Sequence, residues 1–113
     1  MTDKMGVKML YIMCFNLKND VSEEELVNKS KEWFSYAEGK IEGLGSGKLY
    51  RHHHFGANPR IYQVHLEMRD FGTLDRFLTF IKKDAKGARL LQEWQKLIDM
   101  NTHFDEFVRE IPL

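Results

Sequence analysis

Apolar and polar positions alternate along some stretches of this chain and recur at helical spacing along others, and the order of the two patterns predicts the fold. Residues 8–16 interleave two sets, Met9, Tyr11, Met13 and Phe15 against Leu10, Ile12 and Cys14, both apolar. Such a run predicts a strand buried on both faces. Asn19-Asp20 then marks a turn, and Ser22-Glu23-Glu24-Glu25 offers a capping box: the Ser22 hydroxyl and the Glu25 carboxylate can satisfy free amides of a first helical turn. The three acidic residues also suit the positive end of a helix dipole. Leu26, Ser30, Trp33, Phe34 and Ala37 follow at helical spacing, opposite Asn28, Lys29, Lys31, Glu32 and Ser35, so an amphipathic helix runs to Gly39. Trp33 on that stripe reads as core. Gly43, Gly45 and Gly47 follow a helix and lead into a strand, the reverse of a dinucleotide-binding fingerprint, and predict a tight connection and a bulge.

Residues 48–68 read as a β-hairpin. The runs 49–55 and 61–68 flank the turn-forming Gly56-Ala57-Asn58-Pro59. In the second run Tyr62, Val64, Leu66 and Met68 are apolar while Gln63, His65 and Glu67 are not, so one face goes to a core and the other carries titratable and hydrogen-bonding groups. Two registers are open. With residues 56–59 as the loop, Phe55 pairs with Arg60, Tyr50 with His65, His52 with Gln63 and Lys48 with Glu67. Tyr50, His52, His54, Gln63, His65 and Glu67 then share a face. A loop one residue longer pairs Phe55 with Ile61 and puts Arg51 and His53 there instead, because a one-residue slip inverts a strand's faces. The first register is preferred: it buries Leu49, Phe55, Val64, Leu66 and Met68 together, although Arg51 and His53 join them.

Asp70 is placed to cap a second helix whose buried stripe is Leu74, Phe77, Leu78 and Ile81. Gly87 interrupts the pattern, and a third helical run with Leu90, Leu91, Trp94, Leu97 and Ile98 continues to about Met100. Residues 102–111 fit either a strand or a helical turn and are read as a last strand ended by Pro112. The order is that of a split βαβ, ferredoxin-like α+β plan: a four-stranded antiparallel sheet with residues 8–16 and 61–68 as its central strands and helices on one face. Helices on one face leave part of the doubly apolar first strand wet, and a homodimer that pairs two such sheets would cover it and enclose a cavity.

Composition narrows the partners. A chain of 113 residues predicts one domain, residues 1–113, with a core of its own. Lys plus Arg equals Asp plus Glu, 17 each, and no basic stripe is interleaved with aromatics, so nucleic acid is not expected as a partner. The apolar run 9–15 is too short for a membrane span and lacks the flanks of a signal peptide. The single cysteine, Cys14, reads as a buried thiol in a reducing compartment, and the expected location is the cytoplasm.

The strand 9–16, the helix capped at Ser22, the glycine-rich entry to Leu49-Tyr50-Arg51, the strand 62–68 running into Asp70 and Leu74-Asp75-Arg76-Phe77, and the ending Ile111-Pro112 together resemble the dimeric α+β barrel superfamily. That superfamily includes small monooxygenases of antibiotic biosynthesis, haem-degrading enzymes, stress-responsive proteins and families of unknown activity, and the chain is most similar to the last group. The resemblance implies the fold and dimerisation. Haem-degrading members use an asparagine of the first strand with a tryptophan and a histidine from the later helical region; Asn16, Trp94 and His103 match in type and order, but on a continuous helix Trp94 and His103 would face opposite ways, and only a break near Asn101 could join them.

Three chemical readings follow. In the cofactor-free one, which is preferred, His65 or His54 is a base, Tyr50 a hydrogen-bond donor, and Gln63, Glu67 and His52 orient a small ligand in the intersheet cavity. That chemistry suits oxygenation or isomerisation of an enolisable aromatic. In the second, His52 and His54 at strand spacing with His65 on the partner strand hold a metal, with Glu67 completing the set. The third is a non-catalytic dimer that binds a ligand or a protein.

Overall fold

The computed structural model describes residues 8–54 and 60–113, which run β1 (Met9–Leu17), α1 (Glu23–Glu38), β2 (Leu44–Arg51), β3 (Ile61–Met68), α2 (Phe71–Lys83), α3 (Ala85–Gln95) and β4 (Ile98–Arg109). The strands form one antiparallel sheet in the order β2-β3-β1-β4, with β1 and β3 central as the alternation predicts. β1, α1, β3 and α2 start where their sequence signals lie. Ser22 caps α1 with both halves of the capping box made, Gly39 ends it, and Asp70 accepts the Thr73 amide at the head of α2.

Antiparallel pairing of Met9 with Met68, Tyr11 with Leu66, Met13 with Val64 and Phe15 with Tyr62 places these side chains on one side of the sheet, where all are buried. The helices close over that side. Trp33 and Trp94 meet at its centre with ring centroids 5.3 Å apart, and the Trp94 indole N–H donates to Ser30 Oγ at 3.0 Å. Both tryptophans are core residues, as their helical spacing implies.

Three expectations need correction. The third helix stops at Gln95 rather than near Met100: Lys18 N–H donates to the Leu97 carbonyl and Leu17 pairs with Ile98, so the end of β1 draws this segment into β4. Gly87 does not interrupt a helix. Its amide is accepted by Asp84, the cap of α3, and the Phe80 ring lies where a β-carbon would stand. The glycine-rich stretch is itself strand, so β2 begins at Leu44, with the expected bulge between Leu44 and Gly47.

The hairpin register differs by two residues from the preferred one. Lys48 pairs with His65, Tyr50 with Gln63 and Arg51 with Tyr62, so the pairs expected for Tyr50 with His65, His52 with Gln63 and Lys48 with Glu67 do not form. A shift of two preserves faces, and Tyr50, Gln63, His65 and Glu67 share one side as expected. Phe55 and the turn lie outside the described residues. Arg51 on the buried side is accommodated: its guanidinium lies 5.6 Å from the Tyr62 ring centroid and pairs with Glu23 at 3.1 Å, while the Tyr62 hydroxyl donates to the same carboxylate at 2.8 Å. His53 is exposed.

Candidate functional site on the open face of the sheet

The sheet side away from the helices carries two materials side by side. Leu10, Ile12 and Cys14 of β1, with Phe104 and Val108 of β4, form an apolar half interrupted by Glu106 opposite Ile12, and Phe104 and Val108 remain 52% and 39% exposed. Tyr50 of β2, His52 just beyond its end, and Gln63, His65 and Glu67 of β3 form a polar half. Between them a cavity of about 300 Å³ is lined by Lys8 and Leu10, by Ser46, Lys48 and Tyr50 from β2, and by His65 and Glu67 from β3.

His65 is the organising residue of the polar half. It lies opposite Ile12 and Lys48 in the two ladders, partly buried. Its ring packs on Tyr50 with centroids 4.4 Å apart, and its Nε2 lies 2.9 Å from Gln63 Oε1. The other end of the same amide, Gln63 Nε2, lies 3.1 Å from His52 Nε2. Partial burial and then the Lys48 ammonium hold His65 below the usual imidazole range, so at neutral pH the ring is uncharged and can accept a proton.

The residues singled out in the sequence are thus partly assembled. Tyr50, His52, Gln63 and His65 form one contact chain, and Glu67 lines the same cavity as Tyr50 and His65. His54 is exposed beyond the end of β2, in ring contact with His52 at 6.1 Å. His52 and His65 each commit Nε2 to Gln63, and among the described residues no group of three or more His, Cys, Asp or Glu side chains is arranged to hold a metal. The residues matching haem-degrading enzymes are not brought together: Asn16 lies on the open face beside Ile61, whereas Trp94 is buried among Phe15 and Trp33 on the other side. The helix does break before His103, but His103 pairs with Asp105 at 2.7 Å, and Asp105 also accepts from Tyr11.

Lys8, Leu10, Ser46 and Lys48 were missed as cavity residues. Backward alternation from Tyr50 would have found Lys48 and Ser46; Leu10 is recognisable only once β1 is paired with β3. Cys14 is buried on the open face opposite Gln63 and Phe104, and burial, followed by the Glu106 charge, pushes its thiol up. A second crevice, of about 350 Å³, lies on the helix side between α1 and β2, with Val27, Phe34 and Leu49 as apolar walls and Glu23, Arg51 and Tyr62 at its polar end.

No family model matches the chain, and no curated protein is significantly similar to it. Solved structures match almost end to end. A conserved protein from Methanosarcina mazei is 19% identical, with a TM-score of 0.62 over 92% of this chain and 91% of its own. A dimeric protein of unknown function with a ferredoxin-like fold, from Bacteroides fragilis, is 16% identical, with a TM-score of 0.55 over 91% and 94%. This chain has the ferredoxin-like α+β fold. The fold also carries activity: SnoaB, a cofactor-independent oxygenase from Streptomyces nogalater, solved in a mutant form, is 12% identical with a TM-score of 0.59 over 93% and 92%. At such identities the likeness concerns the fold. No helix among the described residues is long and apolar enough to cross a membrane.

Proposed function

We propose that the protein is a homodimer joined through the open faces of its sheets, and that it binds a small molecule in the cavity so enclosed, with His65 as the group that takes a proton from it. The observation that carries this is the composition of the open face. An apolar half with Phe104 and Val108 exposed favours cover by a second copy, and the adjoining polar half holds a neutral, oriented imidazole beside a cavity. Tyr50 supplies a hydroxyl and a ring wall, and Glu67 and His52 are the further polar contacts for a ligand. The dimeric description of the Bacteroides fragilis protein and the cofactor-independent oxygenase with the same fold support the reading. A small enolisable molecule that needs only a base to become reactive fits such a site, in the reducing cytoplasm where Cys14 stays a thiol.

Native mass spectrometry of freshly purified protein tests this. The reading predicts a dimer that retains a small molecule, and predicts that His65→Gln remains a folded dimer without it. A monomer, or a His65→Gln dimer that keeps every bound molecule, would overturn it.

A further inference from the structure

Gln63 sits between two imidazoles and can satisfy them in only one sense at a time. Its Oε1 faces His65 Nε2 at 2.9 Å and its Nε2 faces His52 Nε2 at 3.1 Å. An amide oxygen accepts and an amide nitrogen donates, and a neutral imidazole has one nitrogen of each kind. The contacts therefore require a hydrogen on Nε2 of His65 and a bare Nε2 on His52. What is left over is complementary: a lone pair at His65 Nδ1 and an N–H at His52 Nδ1.

We infer that Gln63 fixes the tautomers of the two histidines, leaving His65 a base through Nδ1 and His52 an N–H at Nδ1, and that the His65 base beside the Tyr50 hydroxyl enolises a small carbonyl compound. This substrate class rests on the open face being the ligand site; the tautomer assignment does not. A turned amide would reverse both tautomers. Around His65, Lys48 and Tyr50 face it from β2, Glu67 and Gln63 flank it on β3, and Leu10 and Ile12 are its apolar neighbours on β1.

In the step this supports, the substrate C–H bond next to the carbonyl breaks, and its electron pair forms the C=C bond of the enolate. The proton becomes an N–H at His65 Nδ1, and the Tyr50 hydroxyl, which lines the same cavity, donates to the oxygen that gains negative charge. The imidazolium still donates Nε2–H to Gln63 Oε1, so the amide keeps its orientation throughout. Return of the proton to carbon restores His65, with no net oxidation. Gln63 touches no reacting atom and is a positioning residue.

The test is long-range ¹H–¹⁵N NMR of the full chain at about pH 8, above the ordinary imidazole range. The expected result is the Nε2–H tautomer for His65 and the Nδ1–H tautomer for His52. In Gln63→Glu both ends of the side chain accept, so His52 is expected to switch to Nε2–H while His65 stays unchanged. In Gln63→Leu both rings should become tautomer mixtures, with His53 and His103 unaffected. The same tautomer on both rings of the parent, Nδ1–H on His65, or a His52 indifferent to Gln63→Glu would overturn the tautomer assignment. Deuterium uptake from D2O into 1-tetralone, an aromatic ketone with an exchangeable α-hydrogen, tests the substrate class. The parent should catalyse it, and Gln63→Leu should lower kcat at least about tenfold with little change in KM. No exchange above solvent background by the parent overturns the carbonyl assignment, whereas correct tautomers in a protein that proves monomeric overturn the intersheet reading and leave the tautomer assignment standing.

Discussion

Gly47 sets how closely α1 can lie on the edge strand, and Gly47→Ala measures that contact. A β-carbon built there stands 2.4, 2.6 and 2.9 Å from three atoms of the Phe34 ring. Carbon atoms in contact need about 3.5–4.0 Å, so the ring or the strand must yield by roughly an ångström. The ring cannot swing freely, because Trp33 packs against it with centroids 5.2 Å apart. Overpacking of this kind costs about 1–3 kcal/mol, and the lower chain entropy of alanine in a strand returns about 0.5–1 kcal/mol. The net expectation is a loss of about 1–2 kcal/mol, which for a domain of this size lowers Tm by roughly 5–10 °C. Urea unfolding followed by tryptophan fluorescence reads it directly. Gly45→Ala is the control, since its added carbon approaches Glu67 no closer than 3.2 Å. Gly47→Ala with Phe34→Leu should lose less than the sum of the two single changes. A Gly47→Ala protein as stable as the parent, or strict additivity in the double variant, would refute the reasoning.

Three further outcomes follow from the same contacts. Ser30→Ala strands the indole N–H of the fully buried Trp94 and should cost about 1–3 kcal/mol in urea unfolding. Because the folded state holds His65 below its ordinary value, the unfolded chain takes up the proton first; the stability contributed by His65 is complete above about pH 6.5 and is lost as the pH falls through the depressed folded value. Melting temperatures of His65→Gln should therefore fall less than those of the parent between pH 7 and pH 5. Burial and then the Glu23 carboxylate hold Tyr62 up, as burial and Glu106 do for Cys14, so their contributions are present below the unfolded values and fade above about pH 8.5 for the thiol and about pH 10 for the phenol. Cys14 should react with a thiol reagent at pH 8 far more slowly in the folded protein than in urea.

The sequence carried the fold where local signals agreed with long-range pairing. The Ser22–Glu25 capping box, the Asp70 cap and the alternation of β1 and β3 each depend on neighbours along the chain, and each stands where it was read. Leu97 and Ile98 continue the helical spacing of Leu90, Leu91 and Trp94, yet the backbone of Lys18 and the partner strand at Leu17 draw them into β4, a contact between segments far apart in the chain. The hairpin register was misplaced by two residues for a related reason. Arg60 donates to the carbonyls of Lys18 and Val21 and anchors the start of β3 to the β1–α1 connection, which turn chemistry alone does not reveal. The polar face survived that error because it depends on parity rather than register. His54 did not join the site, since β2 ends at Arg51, and the Gln63 bridge became visible only with the pairing in place.

Pairing of the open faces is the claim on which the cavity depends, and Ile12 at its centre is the most direct probe. Ile12 lies between His65 and Glu106 in the two ladders and is partly exposed in the single chain, so Ile12→Lys leaves the helix-side core untouched but places a charge where a second sheet would pack. Sedimentation equilibrium at micromolar concentration should give a dimer for the parent and a monomer for Ile12→Lys, with the same far-ultraviolet circular dichroism. A monomeric parent, or an Ile12→Lys protein that dimerises as tightly as the parent, would contradict the account.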